Sequence, residues 1–144
     1  MLGQTQFGLI HVSPMQLPDI RALKNITWLA PWEVFPDVES QTDGDVTGYD
    51  LELVREVGPK HPLFPYKSSA IPIAARCDCD DRLYWIPDEQ RPFAVVHITW
   101  AGKKQQWSAD HPTTEFYSSF EDWRVRCMQI DHDFIKSLDE QKIL

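Results

Sequence analysis

Residues 70–100 read AIPIAARCDCDDRLYWIPDEQRPFAVVHITW, and this stretch decides the fold. Three apolar runs lie in it, at 70–77, 83–87 and 93–100. The Asp-rich segment 78–82 and the Pro-bearing segment 88–92 divide them. Runs rich in Ile, Val, Phe, Tyr and Trp and bounded by Asp and Pro are strand signals. Connections this short join neighbouring strands as an antiparallel meander.

The third run says most about the layers. Side chains alternate along a strand, so Ala94, Val96, Ile98 and Trp100 share one face and Phe93, Val95, His97 and Thr99 the other. Both sets are largely apolar, which predicts a central strand covered on both faces. Only the far end turns polar, at His97 and Thr99. Such a pair is either a hydrogen-bonded corner of the core or the floor of a small site, and the corner is the plainer reading.

Toward the C-terminus, 113–117 is expected to add a short strand. Ser118 and Glu121 then have capping-box spacing. Phe120, Trp123, Cys127, Ile130, Phe134 and Leu138 follow at intervals of three and four, an amphipathic stripe that should lie across one face of the meander. Toward the N-terminus, 47–57 reads as a helix with Leu51, Val54 and Val57 on its inner face and Gly58-Pro59 as its stop. Residues 36–48 read as an acidic mobile loop with a turn at Asp43-Gly44. Residues 28–35 (WLAPWEVF) read as an irregular segment, broken by Pro31, that packs through Trp28, Trp32 and Phe35. Pro18 opens a short helix, and 1–12 is an edge strand or a loose terminus.

The fold expected is therefore α+β: an antiparallel meander sheet of three to five strands with a C-terminal amphipathic helix packed on one face. The 144 residues suit one domain, 1–144, with an aromatic N-terminal extension at 1–46 and a core at 47–138.

Composition narrows the function classes. A net charge of −8 argues against non-specific nucleic-acid binding and against docking on anionic lipid. No run approaches the length of a membrane-spanning helix, and 1–15 lacks the features of a secretory leader. The three cysteines, Cys77, Cys79 and Cys127, are an odd set, expected as free thiols in a reducing cytoplasm.

Several clusters invite a chemical reading. Cys77 and Cys79, with His97 or His61, have zinc-ligand chemistry, but a structural zinc site ordinarily needs a second pair. Asp78, Asp80 and Asp81 offer oxygen ligands to a divalent cation, or form a hairpin turn salt-bridged to Arg76 or Arg82. His97 with Asp80 or Asp81 has the makings of an acid–base pair. No activated nucleophile and no glycine-rich phosphate loop accompany it. The aromatics Trp28, Trp32, Tyr84, Trp85, Trp100 and Trp107 exceed what a core of this size needs, so one or two are free to line a partner surface.

A set of short motifs adds a resemblance. They are Arg55-Glu56-Val57 with His61-Pro62-Leu63, Ala74-Ala75-Arg76 with Asp80-Asp81 and Leu83, Val95-Val96-His97-Ile98-Thr99-Trp100, Thr114-Glu115 before an aromatic, Ser119-Phe120-Glu121-Asp122-Trp123 and Asp131-His132. The block 48–134 that carries them resembles a family of small uncharacterised bacterial proteins. The likeness implies a shared fold unit and no particular activity. His111-Pro112 departs from it, since an aromatic residue is expected before that proline.

The expectation is a non-enzymatic module that binds a protein or a small apolar ligand, with His97, Thr99, Asp80, Asp81 and Trp100 as the binding residues. No catalytic residue, metal ligand or cofactor is assigned. The alternative is a small metal-dependent, hydrolase-like enzyme centred on His97 and Asp80 or Asp81. A homodimer burying Trp28 or Trp32 is also expected, because aromatic patches and exposed sheet edges favour self-association.

Overall fold

The computed structural model of the protein describes Leu23, 25–35, 48–100 and 108–143. The expected Pro18 helix (apart from Leu23), the segment 1–12, the loop up to residue 47 and Trp107 lie outside the described residues. Within them, five strands form one antiparallel sheet in chain order. They are β1 (Trp32–Val34), β2 (Ile71–Arg76), β3 (Asp81–Trp85), β4 (Phe93–His97) and β5 (Thr114–Tyr117). Helix α1 (Gly48–Glu56) precedes β2. After β5 come α2 (Phe120–Trp123), a π-helical turn (Arg124–Met128) and α3 (Gln129–Ile143). The α+β meander with a C-terminal helix is what the alternating apolar runs predict.

The register explains the layers. β3 and β4 pair from Asp81↔His97 to Trp85↔Phe93, which fixes the alternation on both strands. Leu83, Trp85, Phe93 and Val95 enter one cluster with Ile71, Ile73, Tyr117, Trp123 and Met128. Tyr84, Ala94, Val96 and Ile98 enter a second with Leu53, Val57 and Leu63. The sheet is thus covered on both faces, by α2 and the π turn on one and by α1 with its following loop on the other. In β2 the register shifts between Pro72 and Ala74, a bulge beside the one residue that cannot donate to the ladder.

Two local expectations are corrected. Residues 32–34 are not irregular but form the edge strand β1, paired Trp32↔Arg76 to Val34↔Ala74. Trp28, Trp32 and Phe35 do pack against the core, as expected. That packing leaves Trp32 1% exposed within a single chain and sets the partly buried Trp28 edge-on to Phe120 at 5.9 Å. The helix cap falls one residue later than expected. The Ser119 hydroxyl accepts the Asp122 N–H at 2.9 Å, and the Asp122 carboxylate accepts the Ser118 N–H at 2.9 Å.

The C-terminal stripe departs furthest from a regular heptad. A π turn accommodates one extra residue per turn. The fully buried positions become Trp123 and Met128, five apart, instead of Trp123 and Cys127. Beyond the turn, Asp131 takes the inward place. It accepts the Trp32 indole N–H at 2.8 Å and pairs with Arg76 at 3.1 Å. Ile130, Phe134 and Leu138 consequently face solvent.

The thiols follow from this packing. All three cysteines are free. Burial, then the charge of Asp131, pushes the Cys127 thiol up to about 12. Cys77 and Cys79 are exposed in the turn after β2. Titration with a thiol reagent should therefore count Cys77 and Cys79 quickly in the native protein and Cys127 only after unfolding. A native Cys127 that reacts as fast as the other two would contradict this packing.

Candidate functional site

The expected site residues come together at one end of the sheet, where β3 begins and β4 leaves. Asp81 and His97 are cross-strand partners, so their side chains stand side by side. His97 Nδ1 lies 2.7 Å from Asp81 Oδ1. The expectation of a buried corner fails for His97, whose side chain is 52% exposed, with Asp81 at 27%. It is the last residue of β4, and the apolar cover of its face ends before it. An exposed pair of this kind contributes about 0–1 kcal/mol. His97→Leu should accordingly shift the thermal midpoint very little, and a large loss would mean that the pair is structural.

The acidic turn resolves into separate pairs. Arg76 donates to both Asp78 oxygens at 2.8 Å, and this bidentate contact holds the Asp78 carboxyl below its usual range. Asp80 sits 3.5 Å from Arg82, and its carbonyl accepts the Ile98 N–H at 3.2 Å. Asp81 is engaged by His97. This is the salt-bridged hairpin reading of the turn. Among the described residues no three His, Cys, Asp or Glu side chains converge to hold a metal ion. His61 is unavailable to Cys77 and Cys79, because both its ring nitrogens are engaged in the interior. Nδ1 accepts the Leu63 N–H at 3.0 Å, which puts the proton on Nε2, and Nε2 donates to the Pro112 carbonyl at 2.8 Å. Burial lowers the His61 pKa.

Thr99 and Trp100 are organised by a residue that the sequence motifs include but give no role. Glu56, in the last turn of α1, is 0% exposed. Its carboxylate accepts the Thr99 N–H at 3.0 and 3.2 Å and the Trp100 N–H at 2.6 Å. Two successive N–H groups converging on one carboxylate form an anion-binding nest filled from within the chain. Trp100 adopts φ 62°, the left-handed region, which costs a residue with a Cβ on the order of 1–2 kcal/mol. The two bonds to Glu56 offset that cost. The indole is left 49% exposed at the sheet end.

Glu52, one turn earlier, is also buried. Burial, then the Glu52 carboxyl beside it, raises the Glu56 pKa above its ordinary value of 4.5, against the opposing pull of the Thr99 and Trp100 N–H groups. The expected inner face of α1 is corrected by the same geometry. Leu51 and Val54 are exposed, and Glu52, Leu53, Glu56 and Val57 point inward. The available signal was the i, i+4 repeat of Glu52/Glu56 beside that of Leu53/Val57.

The site thus has two parts that meet at the end of β4. By strand alternation the His97–Asp81 pair lies on the α2 face, and the Glu56 carboxylate lies on the α1 face. No helix among the described residues is long and apolar enough to cross a membrane. Comparisons with family models, with curated proteins and with solved structures find no match to this chain.

Proposed function

We propose that this protein is a cytoplasmic binding module that recognises another protein, or a small apolar ligand, through the sheet end carrying Trp100, Thr99, His97, Asp81 and Asp80. One observation carries the reading. A large aromatic side chain stands half-exposed on a strained backbone that a fully buried carboxylate holds in place. Strain maintained by dedicated contacts is typical of recognition and catalytic sites. Tryptophan is also among the residues most enriched where partners dock. The solvent-open His97–Asp81 pair at the same sheet end offers a polar contact to whatever docks there.

Affinity capture from the host's own lysate tests this. A partner retained by the parent protein should fall at least about tenfold with Trp100→Ala, the effect of one hot-spot residue. The melting point of that variant should stay near the parent's. Identical retained sets from the two proteins would reject the reading.

A second reading has a specific observation in its favour. The His97–Asp81 contact at 2.7 Å, open to solvent, has the geometry of a carboxylate-oriented general base. It would serve a small metal-dependent hydrolase. Turnover of chromogenic esters or phosphoesters with added divalent metal, lost in His97→Gln, would favour this reading over the first.

A further inference from the structure

The sheet ends in β1 on one side and β5 on the other, and the two edges differ. The bond from the His97 N–H to the Thr113 carbonyl at 2.9 Å sets the phase of the β4–β5 ladder. With the register Phe93↔Tyr117 to Val96↔Thr114, Thr113, Glu115 and Tyr117 turn their backbone groups toward β4. Thr114 and Phe116 turn theirs away from the sheet. Among the described residues no acceptor engages the Thr114 or Phe116 N–H. On β1 the outward N–H of Trp32 is already taken, by the Leu29 carbonyl at 3.0 Å. The β5 strand, Thr114–Tyr117, also holds no proline, lysine or bulge, the features that usually keep an edge from pairing.

Charge placement on β5 selects the strand that fits this edge. Glu115 is exposed and shares the α2 face with Tyr117. The Arg126 guanidinium lies over the Tyr117 ring, 5.2 Å from its centroid, and its side chain is 58% exposed. One face of the edge thus carries an anion and, one pleat along, a cation. Two copies of β5 laid antiparallel pair most of their length when centred on Glu115 or on Phe116. Centred on Glu115, the two Glu115 carboxylates meet directly, which is destabilising. Centred on Phe116, each Glu115 stands opposite the partner's Tyr117 in a non-hydrogen-bonded pair, where side chains are closest, and comes beside the partner's Arg126. Phe116 then exchanges both backbone bonds with its own copy, and each Thr114 N–H meets the partner's Ser118 carbonyl. On the α1 face the two Phe116 rings lie side by side, each under its own Arg91 at 4.1 Å. The Asp88 carboxylate, which accepts the Arg91 N–H at 3.0 Å, offsets that cation. Such self-complementarity is what a two-fold interface requires.

We propose that two copies of this chain join edge to edge through β5, about a two-fold axis at Phe116, so that their five-stranded sheets run on as one. Main-chain bonds from Thr114 and Phe116 supply the contact, and the Glu115–Arg126 pairs across the axis fix the register. The interface does not depend on the binding role of the sheet end, so each can fail without the other.

The test uses the full chain and reads amide hydrogen exchange by NMR at low and high protein concentration. The Thr114 and Phe116 amides should exchange at least about tenfold more slowly at the higher concentration. The Glu115 and Tyr117 amides, bonded to β4 in either state, should not change. Light scattering over the same range should show the mass rising from one chain toward two. Glu115→Arg should weaken the dimer by at least about tenfold, and adding Arg126→Glu to it should restore the parent's affinity. Both replaced side chains are exposed, so at low concentration the variants should melt with the parent, which separates lost association from lost fold. The proposal is overturned if the Thr114 and Phe116 amides exchange at one rate at every concentration. It is overturned equally if Glu115→Arg dimerises as tightly as the parent, or if the double charge exchange does not restore the dimer.

Discussion

Replacing Trp123 by alanine is expected to destabilise the protein by about 3–5 kcal/mol, the usual range for deleting a fully buried large aromatic. Trp123 is 0% exposed and is the centre of the aromatic packing. Its ring lies 5.2 Å from Trp32, 5.7 Å from Trp28 and 5.3 Å from Phe120. No neighbour can collapse into the space, because each of these rings is itself held by another element. Trp32 belongs to β1, Trp28 donates its indole N–H to the Leu23 carbonyl at 2.8 Å, and Phe120 packs on Phe93 of β4 at 5.7 Å. The loss would be a large share of the stability of an ordinary domain. Urea melts should show it as a lower midpoint, and coincident melts would mean that the helix does not dock by Trp123.

The second large effect belongs to Glu56. Glu56→Ala strips the acceptor from the Thr99 and Trp100 N–H groups, and an orphaned donor of this kind costs about 1–3 kcal/mol. It also releases the left-handed Trp100 backbone, so binding at the sheet end should be lost together with the stability. Glu56→Gln probes charge. The Glu56 pKa is raised above 4.5, so the native state binds more protons than the unfolded state just above that pH. Stability from this group is complete below 4.5 and is lost as pH rises through the folded value. His61 acts with the opposite sign. Its pKa is lowered below 6.5, so its contribution is complete above that pH and is lost as pH falls through the folded value. Only a variant series separates the two. Relative to Glu56→Gln, the parent should lose stability as pH rises above 4.5, and a difference that does not change with pH would contradict the raised pKa.

What could be read in the chain depended on whether apolar patterning or polar geometry did the specifying. Strands β2, β3 and β4 were legible because alternation, length and turn residues all agree in 70–100. The split of β4 into two buried faces follows from Phe93, Ala94, Val95 and Val96 being apolar without a break. The pairing of His97 with Asp81 was within reach of the same reasoning, because a short hairpin sets those positions opposite each other. The inner face of α1 was not legible. Apolar periodicity favours Leu51 and Val54, but the acceptor needed by two N–H groups 43 and 44 residues later decides the orientation. The outer half of the C-terminal stripe was misassigned for a different reason. A regular 3.6-residue count cannot foresee a π turn, and one extra residue moved Ile130, Phe134 and Leu138 out of the interface.

The central claim is that a buried carboxylate from α1 holds the Trp100 backbone and presents its indole at the sheet end. An amide-resolved NMR titration of the parent and of Glu56→Ala tests it most directly. The Thr99 and Trp100 amide protons should shift together with one midpoint above 4.5, following protonation of their shared acceptor, and the transition should be absent in Glu56→Ala. Amides that do not titrate, or that titrate identically in the variant, would show that Glu56 does not hold Trp100 and would contradict the account.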